Sequence, residues 1–330
     1  MTYQLNPQLF TDEVKLEPIR AGFGRGLKAA GEVNGSIVAL SADLTESTQM
    51  HIFKEAFPER FIEIGVAEQN LVTVASGLAR AGKIPFTSSY AAFSPGRNWE
   101  QIRTTAALND MPVKIVGSHA GVSVGPDGAT HQMLEDIALM RVLPNMVVVA
   151  PGDSIEAEKA TKLIAENGKP TYIRLAREKT PIFSTDESPF EIGKAYVLRE
   201  GRDITLLGTG TMTYQLLGAA KLLESKGIHA EVVHVPTIKP LDSETILTSV
   251  RKTGRAFTAE EAQAAAGFGG AIAELLSEQL PTPLCRAGMQ NRFGESGAPD
   301  ELIAHFGLDA ASLAASIESF IGRVPQYHKL

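Results

Sequence analysis

Positive charge is in short supply in this chain. Its 31 Lys and Arg residues face 38 Asp and Glu, for a formal net charge of -7. Without a basic stripe, that charge argues against a nucleic-acid backbone as a partner. There is one cysteine, Cys285, so no internal disulfide can form, as befits a reducing compartment. No apolar run approaches the roughly 20 residues that a membrane-spanning helix needs. The opening residues, MTYQLNPQLFTDEVKLEP, lack a basic region followed by an apolar core, so no secretory signal is expected. Close internal repeats and low-complexity tails are also missing. These absences together lead to the expectation of a soluble, cytoplasmic protein. A more local absence points towards function. No Lys or Arg occurs from Ile115 to Met140, yet that stretch holds His119, Asp127 and His131 within the glycine-rich run GSHAGVSVGPDGATHQ, residues 117–132.

What is present reads as an α/β protein. At 330 residues, 44% hydrophobic and 21% charged, the chain is long enough for two domains with substantial cores. Short β-branched runs at 36–40, 60–64, 84–88, 113–117 and 146–150 read as strands. Between them lie helical patterns. Over 67–81, Leu71, Val74, Ala75 and Leu78 fall on one face. A second helix starts with Asp153 or Ser154 as N-cap and stops at Asn167-Gly168. Residues 180–190, rich in Pro, Ser, Thr and Asp, read as a linker. The alternation then resumes at 204–207, 212–226, 230–235, 256–259, 272–278 and 284–287. This pattern predicts two open, parallel or mixed-sheet, three-layer domains, 1–188 and 189–330.

Ligands of open parallel sheets bind beyond the carboxyl ends of the strands. The histidine loop follows such a strand, so it lies where a polar substrate would be handled. Glu68 opens the helix that follows the strand at 60–64, with Gly65 allowing a tight exit. As a lone feature, Glu68 reads as an acidic residue complementing the positive helix end. A buried carboxylate there would have a second capacity, because desolvation favours its protonated form and lets it share a proton with a ligand nitrogen. Tyr90 and Phe93, in TSSYAAF, lie near the end of the strand at 84–88. They read as ordinary core residues or as walls for a flat heterocycle. In the second domain, GTGTM at 208–212 lacks a full dinucleotide fingerprint and reads as a structural turn. EEAQAAAGFGG at 260–270 reads as a strand end and a helix start packed closely through its glycines.

Taken in order, IGVAEQN (64–70), TSSYAAF (87–93), the histidine loop, LMRVLPNMVVVAPGD (139–153) and RFGESGAPDEL (292–302) resemble the transketolase family of thiamine-diphosphate enzymes. The resemblance covers nearly the whole chain and falls on the pyrimidine-binding and C-terminal domains of that family. It implies that Glu68 binds N1′ of the cofactor's aminopyrimidine, that Tyr90 and Phe93 pack against the same ring, and that Asp43 lies nearby. A third aromatic common in the family is replaced by Gly96. The resemblance also implies that His119, Asp127 and His131 handle sugar hydroxyls, the histidines also the distal phosphate. Arg20 and Arg177 would grip that phosphate, and Ser47 would add a hydroxyl. Glu68, His119 and His131 are the implied catalytic residues. Taken singly, Arg20 and Arg177 read as surface ion pairs. Pro126 and Ala129 depart from the family's usual GEDGPTHQ.

The GDG motif and downstream asparagine with which full-length relatives hold a magnesium ion are not found. PDG at 126–128 and PGD at 151–153 stand in other contexts, and no metal ligand is assigned to this chain. The expectation is therefore the C-terminal half of a split transketolase. A partner N-terminal subunit would hold Mg²⁺ and the diphosphate, in a two-plus-two heterotetramer acting on sugar phosphates. Alternatives are the beta subunit of a 2-oxo acid dehydrogenase, whose loop lacks DGxTHQ, and a split deoxyxylulose-phosphate synthase. A catalytically silent binding subunit would have no need for Glu68, the two histidines and Arg177.

Overall fold

A computed structural model describes residues 3–326. In chain order the strands are β1 (Leu16–Pro18), β2 (Ile37–Ser41), β3 (Phe61–Glu63), β4 (Ile84–Tyr90), β5 (Lys114–Ser118), β6 (Val147–Val149), β7 (Thr171–Arg174), β8 (Lys179–Pro181), β9 (Tyr196–Arg199), β10 (Ile204–Gly208), β11 (Ala230–His234), β12 (Thr237–Lys239), β13 (Ala256–Gln263) and β14 (Leu284–Met289). A seven-stranded sheet has the order β12-β6-β7-β5-β4-β2-β3. It is parallel except for β12, which runs antiparallel to β6. A five-stranded sheet has the order β14-β13-β10-β11-β9, parallel except for β9.

Two-residue periodicity explains why helices cover both faces of the larger sheet. Ile115 and Leu40 point to the side carrying Leu71, Val72 and Ile137. Their chain neighbours Val116 and Ala39 point to the side carrying Phe23, Phe53 and Ile164. The expected strands and helices are present with ends shifted by a few residues. The helix after β3 is Glu68–Arg80. The helix after β6 is Ser154–Glu166, with the Asp153 side chain accepting from the Glu156 N–H at 3.0 Å.

Several elements escaped the sequence reading. Helix Ile19–Val33 precedes the first expected strand, and β7 and β9 were not anticipated. The segment read as a linker is pinned in place. Phe183 is fully buried, and Asp153 Oδ2 accepts the N–H groups of Phe183 and Ser184 at 3.0 and 2.8 Å. Strand β12, from the second half of the chain, completes the first sheet, and one apolar cluster joins Val148 to Leu207, Val233 and Ile238.

Chain order reverses at β2, which lies between β3 and β4. The loops leaving the carboxyl ends of β2, β3, β4, β5 and β7 carry the residues singled out above, except Arg20, which lies in the first turn of helix Ile19–Val33. An open sheet presents its binding crevice at that reversal.

Candidate active site

His119 follows β5 directly and takes a positive φ of 56°. It is 2% exposed. Arg20, in the first turn of helix Ile19–Val33, places Nη1 2.9 Å from His119 Nε2. A guanidinium has no acceptor, so Nε2 must accept, and the ring proton sits on Nδ1, 2.8 Å from Ser118 Oγ. Burial, reinforced by the charges of Arg20, Arg177 and His131, holds the His119 pKa down at about 3. The ring is therefore neutral and held in one tautomer.

Around it, rings from two loops pack together. Tyr90, the last residue of β4, stacks on His119 with centroids 3.9 Å apart, and Phe93 stacks on Tyr90 at 6.1 Å. His131 meets Phe93 edge-on at 5.4 Å and Tyr90 at 6.3 Å. Its Nδ1 lies 2.9 Å from Thr130 Oγ1. Arg177, beyond β7, donates to the Val124 carbonyl at 2.7 Å, and its Nη1 lies 3.5 Å from Asp127 Oδ2. Burial and the charge of Arg177 together lower the Arg20 pKa from its ordinary value. Two guanidinium groups and two imidazoles thus share one corner in which Asp127 and Glu178 supply the nearby negative charge. The two guanidinium groups supply cationic donors that suit an anion.

No hydrogen bond among the described residues joins the Glu68 carboxylate to this corner. Glu68 is 4% exposed at the first position of its helix, and its carboxylate has no hydrogen-bond partner among the described residues. The backbone there is tied to the aromatic turn. Asn98 Nδ2 donates to the Glu68 carbonyl at 2.8 Å and to Ser94 Oγ at 3.2 Å. Gly65 exits β3 with φ of 77°. A Cβ at Gly96 would lie 2.0 Å from the Ala92 carbonyl oxygen, so this turn has no room for a third aromatic at that position. Asp43 is exposed with φ of 59°, its N–H donating to Glu63 Oε1 at 2.8 Å. Ser47 lies half-buried in the same loop, and no hydrogen bond links it to the histidine corner.

Sequence reasoning missed the groups that brace the histidine loop. Glu261 Oε1 accepts the Ser123 N–H at 2.5 Å, and Gln132 Nε2 donates to the carbonyls of Val122 and Glu295 at 3.0 and 2.8 Å. Beneath them the buried pair of Arg174 and Asp136 is 2.8 Å apart, and Arg174 also donates to the Glu261 carbonyl at 2.7 Å. The GESG portion of the 292–302 motif meets the loop there, which is the signal that a search for loop supports would have used. Among the described residues, no group of three or more His, Cys, Asp or Glu side chains could hold a metal ion. None of the described helices is long and apolar enough to cross a membrane.

Comparison with known proteins matches residues 18–182 to the transketolase pyrimidine-binding domain and 193–313 to the transketolase C-terminal domain. The chain is 45% identical to a putative transketolase C-terminal section of Methanocaldococcus jannaschii, over 91% of this chain and 95% of that protein. It is 42% identical to a 6-deoxy-6-sulfo-D-fructose transketolase subunit of a Clostridium species, over 91% and 94%. A solved structure described as a split gene transketolase, inactive beta4 tetramer, is 44% identical with a TM-score of 0.87, covering 92% of this chain and 98% of that one.

Proposed function

The chain belongs to the transketolase family, and from that premise we propose that it is the C-terminal subunit of a thiamine-diphosphate-dependent transketolase. It moves a two-carbon ketol unit from a ketose phosphate to an aldose acceptor, working with an N-terminal subunit that supplies the diphosphate and Mg²⁺ site. The observation that carries this reading is Glu68: a largely buried side chain whose carboxylate oxygens have no protein partner and remain open, at a helix start tied to an aromatic turn. That environment suits a flat nitrogen heterocycle.

Thiamine diphosphate, when bound, supplies an acidic C2 position and an electron sink for the carbon–carbon bond being cleaved. Glu68 would hold or share a proton at N1′ of its pyrimidine, with Tyr90 and Phe93 walling the ring and Asp43 beside it. His119, with its tautomer set by Arg20 and Ser118, would present a neutral ring to sugar oxygens. His131, Asp127 and Ser47 would complete the polar lining. Arg20 and Arg177 would grip the anionic end of the sugar. The sulfonated sugar in the name of the Clostridium relative has an anionic end as well, so the arginine pair supports the class of substrate and not one sugar.

Partner dependence is supported by relatives whose names describe a C-terminal section, a subunit and a split-gene tetramer called inactive. A two-plus-two assembly follows naturally if Glu68 faces a cofactor whose diphosphate is held by another chain. The test is co-expression with a candidate N-terminal subunit and assay across several ketose phosphates. The pair is expected to transfer ketol units and the single chain to be inactive; robust transfer by the single chain would overturn the reading.

A further inference from the structure

The five-stranded sheet has a chain-order reversal of its own, since β10 lies between β11 and β13. At its carboxyl edge is a cleft with a cavity volume of about 80 Å³. None of the side chains given a role in ketol transfer lines it. Thr211 and Met212, just past β10, and Glu261 on β13 form one side; Lys179, Asp300 and Ile303 are among those closing the other.

Glu261 is 2% exposed. Its carboxylate accepts only neutral donors, the Ser123 N–H at 2.5 Å and Thr211 Oγ1 at 2.9 Å. Arg174, the buried cation near it, gives its side-chain donors to Asp136 and to the Glu261 backbone carbonyl. Ser123, also lining the cleft and 8% exposed, has a buried hydroxyl with no partner. Each Glu261 oxygen thus has one neutral donor and a lone pair left over, beside a buried hydroxyl that is costly to leave unsatisfied. The lining holds three carboxylates, Glu178, Glu261 and Asp300, against the single ammonium of Lys179, although Glu178 also faces Arg177 at 3.4 Å.

We propose that this cleft is a second ligand site, taking a small primary amine. The charge balance disfavours an anion, even at the start of helix Met212–Glu224. The described residues offer no cluster fit for a metal ion. An ammonium brings three donors and a positive charge, which Glu261, Asp300 and Ser123 can receive. Met212 and Ile303 cover a short carbon chain. The volume admits only a few heavy atoms, less than an engineered benzene-sized cavity of about 150 Å³. Because Ser123 belongs to the histidine loop, an amine here touches the loop that carries His119 and His131 without competing for the anion corner.

The site is tested on the full chain with n-butylammonium, by calorimetry and by ligand-observed NMR, against n-butanol and butyrate at matched ionic strength. Saturable binding of the amine alone is expected. Glu261→Gln and the exposed-site variant Asp300→Asn should each weaken it by about tenfold or more, the effect of losing one charged hydrogen bond, with circular dichroism unchanged. Equal binding of n-butanol, no saturable binding of the amine, or indifference to both substitutions would overturn the proposal. None of these outcomes depends on whether the chain transfers ketol units.

Discussion

Arg20 and His119, 99 residues apart in sequence, meet at 2.9 Å, and this single contact decides which nitrogen of the imidazole carries its proton. Because the guanidinium can only donate, Nε2 accepts and Nδ1–H faces Ser118. Burial and the neighbouring positive charges disfavour a second ring proton.

A folded-state pKa of about 3 lies below the ordinary 6.5. The unfolded chain therefore binds more protons at His119 in that window, and the stability linked to its neutrality is present above pH 6.5 and lost as pH falls. In nitrogen-resolved NMR, the His119 ring should remain the neutral Nδ1–H tautomer through the range where a free histidine titrates. Replacing Arg20 with Ala removes one of the depressing charges and should move that pKa upward. A ring that titrates near 6.5 in the unaltered protein would contradict the assignment.

Arg20→Ala and Arg177→Ala should each raise KM for a ketose phosphate by about 10- to 100-fold in the reconstituted enzyme, the range for losing one charge-assisted hydrogen bond. The penalty should shrink for an uncharged ketose. Steady-state kinetics on both substrates separates the two effects; an equal penalty on both would remove the arginines from anion binding.

Glu68→Gln keeps the size and burial of the side chain while removing its proton-sharing capacity. In the assembled complex it should leave the melting temperature nearly unchanged. Cofactor C2 proton exchange and ketol transfer should both fall by about 100-fold or more. Exchange at the unaltered rate would end the role given to Glu68.

Away from the site, His234 Nε2 lies 2.8 Å from Glu156 Oε2, both fully buried. Tyr3 also donates to Glu156, at 2.7 Å. Burial opposes the Glu156 charge, but His234 and these hydrogen bonds outweigh it and hold the pKa below its usual value. That contribution is present above the ordinary carboxylate pKa and lost as pH falls below it. Glu156→Gln should cost about 1–3 kcal/mol in urea unfolding at neutral pH, as removing one partner from a buried hydrogen-bonded set does, and the cost should diminish in acid.

Local pattern in the sequence determined the layered α/β architecture: β-branched runs of strand length alternate with one-sided helical periodicity, and both signals reside within a few consecutive residues. The same locality placed Glu68 at a helix start and the two histidines in a loop after a strand. Helix Ile19–Val33 escaped because its small residues, Gly22 and Gly26 among them, read as poor helix formers until packing against helix Ser154–Glu166 compensates. Tertiary structure alone decided that Arg20 meets His119, that β12 from the second half completes the first sheet, and that Glu261 and Gln132 brace the histidine loop. Those choices depend on which buried donor finds which buried acceptor across more than a hundred residues in some cases. Periodicity carries no record of them, because an unmet polar group becomes costly only once the chain has folded around it.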